Sequence, residues 1–235
     1  MTFRIAGISF DHMHMGDLLR MVYEHPHAEI AALYDPNRAK MQDAIDTFNV
    51  PEDRVFTDLD ACLAAGPYDM ALLCVATAEH ACITERLAPH DMHIFVEKPF
   101  AASADDARRM ITAMKGTGRQ LAINWPLRWV ESHVTAKRLI DDGLIGELRE
   151  VHFYNGNRGP LWHGADKQEV TAQEVEHLKP DAWWYKKASG GGALLDYLGY
   201  GATLGTWYMN GTPPSEVTCT VDEVPEIEVD QHAIA

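Results

Sequence analysis

Lys98, Asp196 and Tyr200 are the residues in this sequence whose types and spacing could do chemistry. Lys98 lies between Glu97 and Pro99, directly after the apolar run 94–96, so a cation arrives where a buried strand should end. In an open α/β sheet, ligands gather outside the carboxyl ends of the strands. A lysine held there can polarise or deprotonate a hydroxyl. Asp196 and Tyr200 follow Gly190, Gly191 and Gly192 and are four residues apart, which stacks them on one helix face. The glycines are expected to leave free N–H groups and close backbone approach at the helix start. A tyrosine beside a lysine cation should have a lowered pKa and exchange a proton with a substrate hydroxyl. Each feature also has a plain structural reading. Glu-Lys-Pro is common at solvated turns, and Tyr197, Tyr200 and Trp207 would simply pack an apolar helix.

The elements that must position these residues alternate. Strands are predicted over 3–9, 28–34, 70–75, 92–96 and 120–124, with helices over 16–24, 38–48 and 79–87 and after Asp58 and Ser103. Ser103 reads as a cap, with Asp105 and Asp106 in the first turn where acids suit the dipole. This order predicts an α/β fold with a doubly wound parallel sheet. After Asn124 the rhythm changes. A helix over 131–142, a strand over 147–154, an irregular tryptophan-bearing stretch over 155–189, a helix over 193–209 and strands over 216–222 and 227–234 predict an α+β second domain, 125–235 against 1–124. With so few strands, this second domain reads as incomplete.

The 235 residues carry a formal charge of −15, which opposes nucleic acid and anionic membrane surfaces. Four scattered cysteines read as reduced thiols, and the opening residues run straight into a strand pattern, so a cytoplasmic location is expected. Asp35, ending the second strand, sits where a dinucleotide fold binds the adenosine ribose, favouring NAD over NADP, with Arg38 able to offset that preference. The first strand-to-helix turn departs from the fingerprint: Ser9, Asp11 and His14 hold its glycine positions, with Phe10 and His12 between them. Asp11, His12 and His14 raise a metal site, but no further ligands complete it by spacing, so none is expected and the histidines are read as shaping a pocket.

Together, Glu97-Lys98-Pro99 and the Gly190-Gly191-Gly192-Ala193-Leu194-Leu195-Asp196 helix start resemble the glucose–fructose oxidoreductase/inositol dehydrogenase (Gfo/Idh/MocA) family. So do residues 35–39, 57–59 and 140–147, and His80, placed seventeen residues before Glu97. The resemblance implies a Rossmann domain followed by an α+β domain whose mostly antiparallel open sheet makes a homo-oligomer contact. It implies NAD(P)-dependent hydride transfer on a sugar, cyclitol or other polyol, and a cis Lys98–Pro99 bond. Carried over by position, Lys98 orients the substrate hydroxyl, Asp196 assists, and Tyr200 takes the acid/base role where many members have histidine. Ser9, Phe10, Asp11, His12, Asp35, Arg38, Ala76, Thr77, His80, Glu97 and Lys98 would face the cofactor. Asn124, Trp125, Arg128 and Trp183 would face the substrate, with Trp129, Trp162 and Trp184 also near the cleft. Two alternatives stay open: a glycoside hydrolase of the same fold that oxidises transiently, and a non-catalytic binding protein.

Overall fold

Apolar runs flanked by helices bury both faces of a strand, and here they build one parallel sheet. The computed structural model describes residues 1–156, 158–162, 170–222 and 224–235. Strands β1 (Phe3–Ile8), β2 (Ala28–Tyr34), β3 (Val55–Phe56), β4 (Met70–Leu73), β5 (His93–Glu97) and β6 (Leu121–Asn124) pair in the order β3-β2-β1-β4-β5-β6. Every pairing is parallel. The chain winds outward from β1 in one direction and from β4 in the other, so the β1/β4 border is the topological switch point.

Helices α1 (His14–Glu24), α2 (Gln42–Phe48), α3 (Leu59–Ala64), α4 (His80–Leu87) and α5 (Ala104–Met114) cover the two faces. On one face Ile5, Leu33 and Leu72 meet Leu19 and Val22 of α1 and Ile45 of α2. On the other, Ala6, Ile8, Ala71, Leu73 and Val96 meet Cys62 of α3, Leu87 of α4 and Met110 of α5. Asp58 and Ser103 accept from the N–H groups of Ala61 and Asp106 and cap α3 and α5 as the sequence predicts. The predicted 38–48 helix begins as a 3-10 turn, Arg38–Met41, ahead of α2.

The second half contains α6 (Glu131–Asp141), α7 (Ala172–Leu178), α8 (Ala193–Tyr208) and a small antiparallel pair, β7 (Thr220–Val221) and β8 (Ala233–Ile234). The strand predicted over 147–154 is not formed, and those over 216–222 and 227–234 shrink to that pair. A strand needs a neighbouring backbone for its N–H and C=O groups, and 147–154 finds none among the described residues. Among those residues, no helix is long and apolar enough to cross a membrane.

The glycine turn before α8 is closed by protein groups rather than left free. Gly191 and Gly192 donate to the carbonyls of Lys186 and Trp184 at 3.1 and 3.0 Å. Asp230 caps the helix, its carbonyl accepting from Ala193 N–H at 3.0 Å and its carboxylate from Leu194 N–H at 2.7 Å. A Cβ on Gly191 would lie 2.2 Å from the Trp184 carbonyl oxygen, whereas one on Gly205, inside α8, would meet nothing within 4 Å. Gly191→Ala is therefore expected to lower stability by about 1–3 kcal/mol or more. Gly205→Ala should raise it by about 0.5–1 kcal/mol, both read from urea unfolding midpoints.

Candidate active site

The carboxyl end of β5 delivers Glu97 and Lys98 to the switch-point side of the sheet, followed by a cis Lys98–Pro99 bond. Lys98 Nζ pairs with Asp196 Oδ1 of α8, although the two residues are 98 apart in sequence. Both are almost fully buried, at 4% and 6% exposure. The Tyr200 and Tyr197 rings bracket the same ammonium, with centroids 5.6 and 5.9 Å from Nζ. The helical spacing of Asp196 and Tyr200 thus places both against Lys98.

The expected lowering of the Tyr200 pKa is not what this environment produces. Burial pushes the phenol up, and the charges of Glu97 and Asp196 and the neighbouring Tyr197 add to the effect. The cation lies against the ring rather than making a hydrogen bond to the hydroxyl. Tyr200 therefore keeps its proton and can donate it as a hydrogen bond.

Glu97, 1% exposed, spends its carboxylate elsewhere than on Lys98. Oε2 accepts from Asn124 Nδ2 at 2.8 Å, and Oε1 meets His14 Nδ1 at 2.9 Å, with His12 Nε2 at 3.9 Å. Asn124, expected at the substrate, is buried and holds Glu97 instead. His12 is kept neutral: burial, then the charges of Lys98, His14 and His80, hold its imidazole well below the usual range. His80 is also buried, its ring nitrogens 3.1 Å from the carbonyls of Phe100 and Val75, so it ties down the turns after β5 and β4 and does not face the cleft. Burial is also the main cause lowering its pKa.

Around the dinucleotide turn, Asp35 is fully buried. It accepts from Phe10 N–H and Asn37 N–H at 2.8 Å each and from Ser9 Oγ at 3.3 Å. Arg38 is turned away, its guanidinium engaged by Gln42 and Glu52 at 2.6 and 2.5 Å. The cation that reaches the turn is Lys40, which nothing in the sequence singled out; it pairs with Asp11 Oδ1. Burial works against its charge, but the Asp11 hydrogen bond and the charges of Asp11, Asp35 and Glu79 outweigh it, so Lys40 holds its proton more tightly than an ordinary lysine.

Three observations fit a dinucleotide here. Ser9, in the first glycine position, adopts the left-handed φ of 64° that glycine would supply. Asp35 follows β2 directly, at the position where this fold class meets the ribose, with its carboxylate held there by the N–H groups of Phe10 and Asn37. Thr77 Oγ1, buried beside the switch point, has no hydrogen-bond partner among the described residues, an orphan that a ligand would satisfy. Asp11 fits only if it moves, because Oδ2 accepts from Ala76 N–H at 3.1 Å and so holds a donor that a phosphate would use.

The aromatic residues divide. Trp183 donates from Nε1 to the Asp11 carbonyl at 3.0 Å and stacks on Trp184 at 4.7 Å, both near His12. Trp125 meets Tyr200 edge-on at 5.6 Å and packs over Gly199. Arg128 lies 3.5 Å over the Trp207 ring, while Trp162 lies under Arg158. Trp129 is exposed, on the outside of the turn Pro126–Trp129, and leaves the cleft.

A doubly wound sheet with a buried lysine–carboxylate pair at the carboxyl end of β5, one strand from the switch point, defines a dinucleotide-type α/β protein of two halves. Residues 4–125 match the oxidoreductase family with an NAD-binding Rossmann fold, and 133–235 match the GFO/IDH/MocA C-terminal domain; the chain belongs to this family. Among curated proteins it is similar to D-apiose dehydrogenase of Paraburkholderia graminis, at 29% identity over 51% of this chain and 31% of that protein. It is also similar to inositol 2-dehydrogenase of Salmonella typhimurium, at 26% over 66% and 46%. Among solved structures, the WlbA dehydrogenase of Bordetella pertussis, in complex with NADH and UDP-GlcNAcA, shares the fold with a TM-score of 0.78 at 19% identity, over 99% of this chain and 66% of that one. The aldose-aldose oxidoreductase of Caulobacter crescentus, complexed with glycerol, gives 0.72 at 22%, over 96% and 63%. The chain therefore spans less than two thirds of the length of these relatives.

Two outcomes are expected. Lys98→Met leaves the Asp196 carboxylate buried and uncompensated and should cost about 3–5 kcal/mol, most of it recovered in Lys98→Met/Asp196→Leu; denaturant unfolding of both variants measures this. His12 and His80, with folded pKa values below the unfolded value of about 6.5, bind fewer protons than the unfolded chain in acid. Stability should therefore fall as pH drops below about 6.5, and His12→Asn should flatten that slope.

Proposed function

We propose that this protein is an NAD-dependent oxidoreductase acting on a secondary alcohol of a sugar, cyclitol or related polyol. The observation that carries the reading is the buried Lys98–Asp196 pair at the carboxyl end of β5, at the crevice where this fold class binds ligands. Residues 1–124 hold the dinucleotide and residues 125–235 close over the substrate and provide the contact between subunits. Ser9, Phe10, Asp11, His12, Asp35, Ala76 and Thr77 surround the cofactor position. The Asp35 carboxylate disfavours a 2′-phosphate, and Arg38 is too occupied by Glu52 and Gln42 to cancel it.

When bound, the oxidised nicotinamide supplies the hydride acceptor. Lys98 Nζ, anchored by Asp196, directs its remaining donors at the substrate oxygen and stabilises the charge that develops there. The Tyr200 phenol, which keeps its proton, adds a second donor to that oxygen. Trp183 and Trp125 offer apolar faces to the C–H surface of a sugar ring and exclude water.

The Asp11 contact with Ala76 N–H favours a second reading, a non-catalytic protein of the same fold. One experiment separates the two. NAD is titrated by calorimetry, and a polyol panel including myo-inositol and D-apiose is followed by NADH absorbance. The oxidoreductase reading expects binding and turnover, and Lys98→Met/Asp196→Leu should keep the binding and lose turnover by about 10²–10³-fold. Full turnover in that variant would remove the pair from the chemistry, and absence of NAD binding by the native protein would favour the second reading.

A further inference from the structure

Asp11 holds the second glycine position of the first strand-to-helix turn, where bare backbone ordinarily lets the pyrophosphate approach. Its carboxylate gathers donors from three places in the fold. Oδ2 accepts from Ala76 N–H, beyond β4, at 3.1 Å and lies 3.3 Å from Ser9 Oγ. Oδ1 pairs with Lys40 Nζ, from the 3-10 turn after β2. Ser9 Oγ stands 3.3 Å from the Asp35 carboxylate as well, so its single proton serves only one of the two at a time. A backbone N–H, a hydroxyl and an ammonium converging on one anion are the donors a phosphate oxygen would use. Here the anion is tethered to the chain.

A dinucleotide fold ordinarily holds the diphosphate with the backbone of this turn, and most of that backbone is spent. Phe10 N–H donates to Asp35 at 2.8 Å and His12 N–H to the Cys74 carbonyl at 3.0 Å. His14 N–H donates to His12 Nδ1 and Met15 N–H to the His12 carbonyl, each at 3.2 Å. Much of the positive potential for two phosphates must therefore come from a side chain. Arg38 is held by Gln42 and Glu52, and Lys98 by Asp196. Lys40 differs from both: among the described residues its ammonium pairs with Asp11 alone. The Lys40 and Asp11 side chains are 42% and 20% exposed, so this pair can be exchanged for a ligand where the buried Lys98–Asp196 pair cannot.

We propose that Lys40 binds the diphosphate of the dinucleotide, and that Asp11 is the internal anion it gives up to do so. The inference rests on the oxidoreductase reading for its ligand. In the exchange the Asp11 side chain turns out of the crevice and frees Ala76 N–H and Ser9 Oγ. The Lys40 ammonium passes from a carboxylate to a phosphate oxygen. With Asp11 left in place, three carboxylates, those of Asp11, Asp35 and Glu79, would share one lysine with two incoming phosphates. The tethered carboxylate thus competes with the ligand and holds native affinity below what the donors allow.

Calorimetry on the whole chain, with NAD and separately with inorganic pyrophosphate, tests this. Asp11→Gly should bind NAD about 10–100-fold more tightly than the native protein. Asp11→Asn, which keeps the shape and drops the charge, should shift affinity in the same direction. In the Asp11→Gly background, Lys40→Met should lose about tenfold or more and make NAD binding less sensitive to added salt, while Lys40→Arg should keep both the affinity and the salt response. Pyrophosphate should bind the Asp11 variants and compete with NAD. Equal or weaker NAD binding by both Asp11 variants, with urea midpoints near the native one, would overturn the proposal and leave the oxidoreductase reading standing. So would a Lys40→Met substitution that costs no affinity once Asp11 is gone. Native protein and variants that all bind neither NAD nor pyrophosphate would overturn both readings.

Discussion

The structure depends on one desolvated ion pair. Lys98 leaves the end of β5, Asp196 comes from α8, and each loses water that only the other can replace. A buried charge without its partner costs several kcal/mol, so α8 must dock against the sheet for either residue to stay inside. The glycine turn before α8 follows from that docking. Gly191 approaches the Trp184 backbone more closely than any side chain allows, and Asp230 takes the N–H groups that would otherwise be stranded at the helix start. The three glycines thus serve packing and capping, and the helix terminus is closed to an anion.

The first half was largely legible because its signals are local. Runs such as Met70–Leu73 and His93–Glu97 are short, apolar and bounded by turns, and helices that cover both sheet faces follow from their alternation. Asp58 and Ser103 announced their helices by type and position alone. The second half was less legible because its order comes from contacts distant in sequence. Residues 147–154 have strand composition, but pairing is decided by a neighbour and not by composition.

For the site, Lys98, Asp196 and Tyr200 were found from spacing and a family resemblance, and they do converge. What spacing could not convey is direction. Glu97 turns to Asn124 and His14 rather than to Lys98, His80 faces two backbone carbonyls, and Arg38 turns out to Glu52 while Lys40 turns in to Asp11. Burial likewise set the sign for Tyr200: nearness to a cation argued for a weaker hold on the proton, and loss of solvent made the hold stronger.

The bond from Trp183 Nε1 to the Asp11 carbonyl ties the second half to the very loop a dinucleotide must approach. Lys98 and Asp35 are buried as well, so the contact that joins the two halves lies in the same region as the least solvated charges of the fold. A side chain without that N–H at position 183 would leave the Asp11 carbonyl without this donor and the two halves with one tie fewer at the turn.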